Sequence, residues 1–403
     1  MINLTNLQAR RFLLLKHGLL GEHKFHGKQG IMAFIRQTGC FQFDPVDLCG
    51  QNAQIMLQAR VKDFTKSMLE ELLYVDRRLF DYPDKNLSIL PVTDWPYFQR
   101  YRDTAIHGGR RFPGMEELEA KALAYIRENG PVSSSELPLE GGIRWHSSIH
   151  WSGAGNKETK ASRAALEQLY STGQLVIHHK KNTRKFYDLA ENHIPKEILS
   201  APDPHPDEIE HQKWRLLRRI GAIGLLWNRP SDAWLYIQGL DTTRRGKIFT
   251  ALLEEEKIIP IKVEGISHTL YIQSGDLSLI ETIKSGLEPK PRCEVISPLD
   301  CFIWDRKLIK AIFNYEYAWE IYTPPVKRKY GPYVIPLIYG ESFAGRVEAI
   351  RDAKTKTLII KNIWFEESIK QTKKMQTAID SCLKRFTKFN DCELVEWQEG
   401  VLR

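Results

Sequence analysis

The chain has 403 residues, enough for two to four domains, and its 42% hydrophobic and 10% aromatic content excludes a disordered protein. With 58 Lys and Arg against 50 Asp and Glu, its net charge of +8 permits an anionic partner without requiring one. No apolar run approaches bilayer length, and the six cysteines (Cys40, Cys49, Cys293, Cys301, Cys382 and Cys392) form no Cys-x-x-Cys pair, which argues for reduced, buried thiols over disulfides, structural zinc or an iron–sulfur site.

The first stretch, Met1 to His17, is amphipathic, carries Gln8, Arg10 and Arg11, and lacks a small-residue cleavage site, so a soluble, cytosolic protein is expected. Helices are predicted over Asn6 to His17 and Lys28 to Thr38. The string Cys40-Phe41-Gln42-Phe43-Asp44-Pro45-Val46 follows. In an extended strand Gln42 and Asp44 share one face while Phe41 and Phe43 pack on the other. Pro45 denies the strand a donor, which places the pair at a strand end or sheet edge. An amide that orients water and a carboxylate that polarises it, or faces a developing cation, suffice to hydrolyse a bond with a good leaving group. The same pattern also suits a half-buried strand with one polar face.

Three segments repeat amphipathic helices followed by two strands around a charged turn. The middle copy has a helix over Glu116 to Glu128, a helix start at Ser133 to Ser135, a second helix over Lys160 to Ser171 stopped by Gly173, and strands Gln174 to His178 and Lys185 to Leu189. Helix, turn, helix and basic hairpin is winged-helix architecture, and Lys180, Lys181 and Arg184 fall at the tip of its wing. After the Pro-rich linker Ala201 to Pro206, a third copy has helices over Asp207 to Gly221 and Thr242 to Glu255 and a hairpin from Ile258 to Ile272. Arg244, Arg245 and Lys247 open its second helix, where a recognition helix meets phosphates. Such modules grip nucleic acid or serve as scaffold and dimerisation units. From about Pro291 short strands take over, at Cys293 to Ile296, Trp319 to Tyr322, Tyr333 to Tyr339, Phe343 to Ala349 and Thr357 to Trp364, with a last helix over Glu367 to Phe386. These suggest a small barrel or sandwich. Lys327, Arg328 and Lys329 beside Tyr330 make a basic, aromatic loop, suited to a nucleic-acid backbone or base and equally to a surface turn.

Phe41 to Val46, Arg77-Arg78-Leu79-Phe80-Asp81-Tyr82, Lys185-Phe186-Tyr187-Asp188-Leu189, Ser297-Pro298-Leu299-Asp300 with Trp304-Asp305-Arg306, and Trp319-Glu320-Ile321-Tyr322-Thr323-Pro324 continuing to Lys329-Tyr330-Gly331 occur in an order that resembles the YcaQ/AlkZ family of crosslink-unhooking DNA glycosylases. The resemblance covers nearly the whole chain. It implies an α+β fold: three tandem winged-helix domains at 1–105, 115–200 and 206–287, then a small β-barrel-like domain at 290–403, arranged as a C-shaped clamp. It also implies that Gln42 and Asp44 are the catalytic pair of the Gln-x-Asp branch, in a monofunctional glycosylase that hydrolyses the glycosidic bond of N7-alkylated guanine and unhooks interstrand crosslinks. Double-stranded, alkylated DNA is then the partner of a nucleoid-associated monomer, with no cofactor, metal or membrane. Where many relatives carry a His-His pair this chain has Asn52-Ala53-Gln54, and where they carry Trp-Ala-His it has Pro83-Asp84-Lys85 ahead of Leu90-Pro91.

A non-catalytic DNA-binding regulator would explain the winged helices and charge as well, but it has no reason to keep a carboxylate near phosphates. A third class, hydrolysis of a non-nucleic substrate with histidines such as His146 and His150, finds no supporting Ser/His/Asp order or metal spacing.

Overall fold

The structure is a computed structural model and describes residues 1–109, 112–146 and 158–398, so His150 and the last five residues of the predicted C-terminal domain lie outside the described residues. The chain divides into two compact units, one formed by Met1–Leu69 with Gln212–Arg403, the other by Glu70–His211.

In the first of these, helix Asn6–Lys16 begins at a capping box in which the Thr5 side chain accepts from the Gln8 amide. Helix Gly27–Thr38 ends at Gly39, whose φ of 77° is open to glycine at little cost. The strand that follows covers only Phe41–Gln42. Phe43 and Asp44 lie beyond it, contrary to the longer strand the alternation predicts, because the Asp44 side chain accepts the Val46 amide in a local turn and Pro45 cannot continue a ladder. Further along, helix Glu208–Ile223, helix Thr242–Glu254 and the hairpin Ile258–Val263 with Leu270–Gln273 follow the predicted order, with the unpredicted strand Leu226–Trp227 between the two helices. Leu226–Trp227 pairs with the second hairpin strand, and Ile2–Leu4 adds in parallel to the first. That N-terminal strand has no sequence signal of its own.

The C-terminal sheet runs Cys293–Val295, Val334–Tyr339, Ser342–Asp352, Thr357–Phe365, Leu394–Trp397. It is open, half a barrel, with the first and last strands as its edges. Its last pair is parallel, which requires a crossover, and helix Lys373–Phe389 supplies it. Met375, Ile379, Cys382, Leu383 and Phe386 from that helix enter the core with Cys49 and Ile55 from the N-terminal segment. The predicted strand at Trp319 to Tyr322 is irregular: Glu320 accepts the amides of Lys329, Tyr330 and Gly331 and folds the segment into a loop. Sequence reading also missed helix Arg306–Phe313, capped by Asp305.

In the second unit, strands Leu79–Asp84 and Asn86–Pro91 form a hairpin, and helices Met115–Asn129 and Ala161–Thr172 precede the hairpin Leu175–Lys181 with Arg184–Leu189. Val132–Ser133 joins the edge of that second hairpin. The helix expected to start at Ser133 to Ser135 does not form, because Ser133 enters the sheet and its hydroxyl turns back to Glu136. Tyr82, Trp95, Phe98, Tyr170 and Tyr187 form an aromatic core. Among the described residues all six cysteines are buried and free, and no helix is long and apolar enough to cross a membrane.

Candidate active site and nucleic-acid contacts

The segment carrying Gln42 and Asp44 is fixed from both sides. Upstream, Gly39 O accepts from Arg218 at 2.6 Å, and the Cys40 sulfur accepts from Arg219. A Cβ at Gly39 would meet Arg218 Nε at 2.7 Å, so close approach adds to the left-handed φ in requiring glycine. Phe41 stacks on Phe34 with ring centroids 5.5 Å apart. Downstream, Leu48 O accepts the Arg351 amide of the C-terminal sheet at 2.7 Å, and Cys49 is part of that core.

Between these anchors Gln42 is 7% exposed and Asp44 only 1%. Asp44 Oδ1 accepts the Val46 amide at 2.9 Å, and Oδ2 accepts the Tyr322 hydroxyl at 3.4 Å. Among the described residues no Lys or Arg forms an ion pair with it. Burial raises its pKa above the ordinary aspartate value, while the Val46 amide and Tyr322 hydroxyl pull it partly back. The result is a carboxylate without a countercation, suited to face a positive charge that develops in a substrate.

Tyr322 comes from the loop that Glu320 organises. Burial would raise the Glu320 pKa, but three backbone amides outweigh it and hold the carboxyl below its usual range. Tyr322 is 68% exposed, stands edge-on to Trp319 at 5.6 Å, and thus presents an aromatic face beside Asp44. Sequence reading placed this string among the family motifs without seeing that it reaches Asp44.

Other strings that carried the resemblance hold braces. Arg60 donates to both Asp300 oxygens at 2.7 Å with both side chains fully buried, and Trp227 Nε1 donates to Asp305 at 2.7 Å. Asn52 accepts the Ser297 hydroxyl at 2.5 Å and the Leu299 amide at 3.2 Å. Asp81 holds the Tyr74 hydroxyl at 3.1 Å and Lys180 at 2.5 Å.

That last contact changes the expectation for the wing. Lys180, 14% exposed at its side chain, is tied to Asp81, whereas Lys181 and Arg184 are exposed around Asn182 at φ 56°. Arg245 likewise is buried, its Nε donating to Asn228 at 2.7 Å, because its helix face packs on Trp234. Arg244 is half-buried and Lys247 exposed. Lys327 and Lys329 are exposed, while Arg328 is half-buried and donates to Thr323 O and Ile321 O.

Among the described residues, two groups have metal-ligating atoms within 4.8 Å of one another: His17, Asp300 and Cys301, and His178, Asp188 and His193. Arg60 occupies Asp300 in the first, and His193 bonds to Asp188 at 2.6 Å in the second.

The sequence matches the family described as DNA glycosylase AlkZ-like over residues 35–389, and the chain belongs to that family. Its fold is similar to that of the Streptomyces sahachiroi DNA glycosylase AlkZ, with a TM-score of 0.64 and 11% identity over 100% of both chains.

Proposed function

We propose that this protein is a monofunctional DNA glycosylase that hydrolyses the N-glycosidic bond of N7-alkylated guanine in duplex DNA, including guanines joined in interstrand crosslinks. The observation that carries the reading is the buried Asp44 carboxylate, which among the described residues no Lys or Arg pairs with and which stands two residues from the buried Gln42. Alkylation at N7 makes guanine cationic, so the base departs neutral and little is asked of a general acid. The cost of the reaction lies in the sugar, which gains oxocarbenium character, and in aiming a water. Asp44 stabilises that charge and polarises the water, while the Gln42 amide orients it. The three helix-and-hairpin segments act as winged helices, with Lys181, Arg184, Lys247, Lys327 and Lys329 toward phosphate. Release of free base and formation of abasic sites on an N7-methylguanine duplex tests the assignment.

Tyr322 offers a finer test. Its hydroxyl favours ionised Asp44, so Tyr322→Phe raises the carboxyl pKa further. The active form is the ionised one. The acid limb of the rate–pH profile therefore moves to higher pH, with slower release in mild acid and convergence on the parent at alkaline pH. An unmoved acid limb would detach Tyr322 from the chemistry.

The wing is tested by salt dependence. Lys181→Ala with Arg184→Ala is expected to weaken binding to every duplex alike and lower the slope of log K against log salt by about twice the single-contact value of roughly 0.9. Lys180→Ala, which breaks the pair with Asp81, should leave that slope unchanged.

A further inference from the structure

The loop between Trp319 and Gly331 is braced far more than a surface connection needs. Glu320 gathers three amides at its far end, Arg328 closes its middle onto Thr323 and Ile321, and Tyr330 is held by the Arg346 guanidinium 4.2 Å from its ring and by Trp364 at 5.2 Å. Pro324 and Pro325 stiffen the turn into the short helix Pro325–Lys327. Yet the tip of this rigid loop is apolar: Val326 is 93% exposed among the described residues. Exposed Lys327 and Lys329 follow it directly. A stiff loop with an apolar point and cations behind it has the form of a wedge for an anionic, stacked partner.

We propose that this loop is a DNA wedge, whose Val326 side chain enters the minor groove and opens a base step while Lys327 and Lys329 hold the flanking phosphates. The proposal rests on the glycosylase reading for its setting. An adduct at N7 fills the major groove, so the glycosidic bond must be approached from the minor-groove side, and apolar side chains inserted there unstack neighbouring bases. Tyr322 fixes the distance. It touches Asp44, and the four residues from it to Val326 span at most about 14 Å, or roughly four base-pair steps. Opening the stack within that reach loosens the lesion nucleotide without turning a crosslinked base out of the helix.

The test uses the full chain and duplexes that carry 2-aminopurine at successive positions up to about four steps either side of a central guanine. Saturating parent protein is expected to raise the fluorescence severalfold at one step. Val326→Ser, at a side chain too exposed to matter for folding, should lose that rise with an unchanged salt slope of binding. Lys327→Ala with Lys329→Ala should lower the salt slope but keep the rise at saturation. No rise at any position with the parent, or an equal rise with Val326→Ser, overturns the wedge. Base release from an N7-methylguanine duplex is measured alongside. Release without a fluorescence rise overturns the wedge and leaves the glycosylase reading standing; a Val326-dependent rise without release supports the wedge and removes that reading.

Discussion

Asp44→Asn is expected to slow base release from N7-methylguanine DNA by at least about a hundredfold, the scale of one lost electrostatic contact to a transition state. The substitution keeps the shape of the side chain and an oxygen for the Val46 amide, so the loss reports the charge itself. Affinity for intact duplex should hold or rise, since one negative charge near phosphates is gone. Stability should hold or rise as well. The folded-state pKa of Asp44 is raised, so the folded protein favours the protonated carboxyl, and ionisation as pH rises through that pKa works against folding. A neutral amide is spared that penalty. Gln42→Ala should slow release less, because a misoriented water can still attack. Single-turnover rates, binding isotherms and thermal melts on the same preparations separate chemistry from folding.

The largest expected loss of stability follows removal of Asp300. Its carboxylate and the Arg60 guanidinium form two bonds of 2.7 Å with no exposure of either side chain, and Arg60 also donates to Met56 O. Asp300→Ala leaves a guanidinium buried without its counterion, and a loss of about 3–5 kcal/mol is expected. Replacing both partners together, Arg60→Met with Asp300→Leu, should restore most of it, because no buried charge then remains. Urea denaturation of parent, single and double variants measures this directly. A single variant as stable as the parent would mean that the pair is not a brace, and the string Ser297 to Asp300 would then need another explanation.

The contrast between Asp44 and Asp300 shows what a sequence exposes. Gln42 and Asp44 stand two residues apart, so the candidate pair could be proposed from local sequence, although the alternation argument was sound only as far as Gln42. The helices and hairpins of the middle and third segments were readable from their period and their glycine stops. Contacts between distant residues were not. Tyr322 reaches Asp44 across 278 positions, and Lys180 reaches Asp81 across 99. Lys180 looked like a wing tip because periodicity reports a face and not the carboxylate opposite it. Trp319 to Tyr322 looked like a strand because aromatic and β-branched residues favour one. The Glu320 carboxylate, by collecting three amides, overrode that preference locally. Ile2–Leu4 is too short to carry any period, and only its partner Ile261–Val263 makes it a strand.

The measurement that bears most directly on the whole account is quantification of free N7-methylguanine and abasic sites after incubating the full chain with a duplex carrying that base, beside Asp44→Asn. Release by the parent is expected, with near loss of it in the variant, while both bind the duplex. Tight binding by the parent without release, or release by Asp44→Asn at the parental rate, would contradict it.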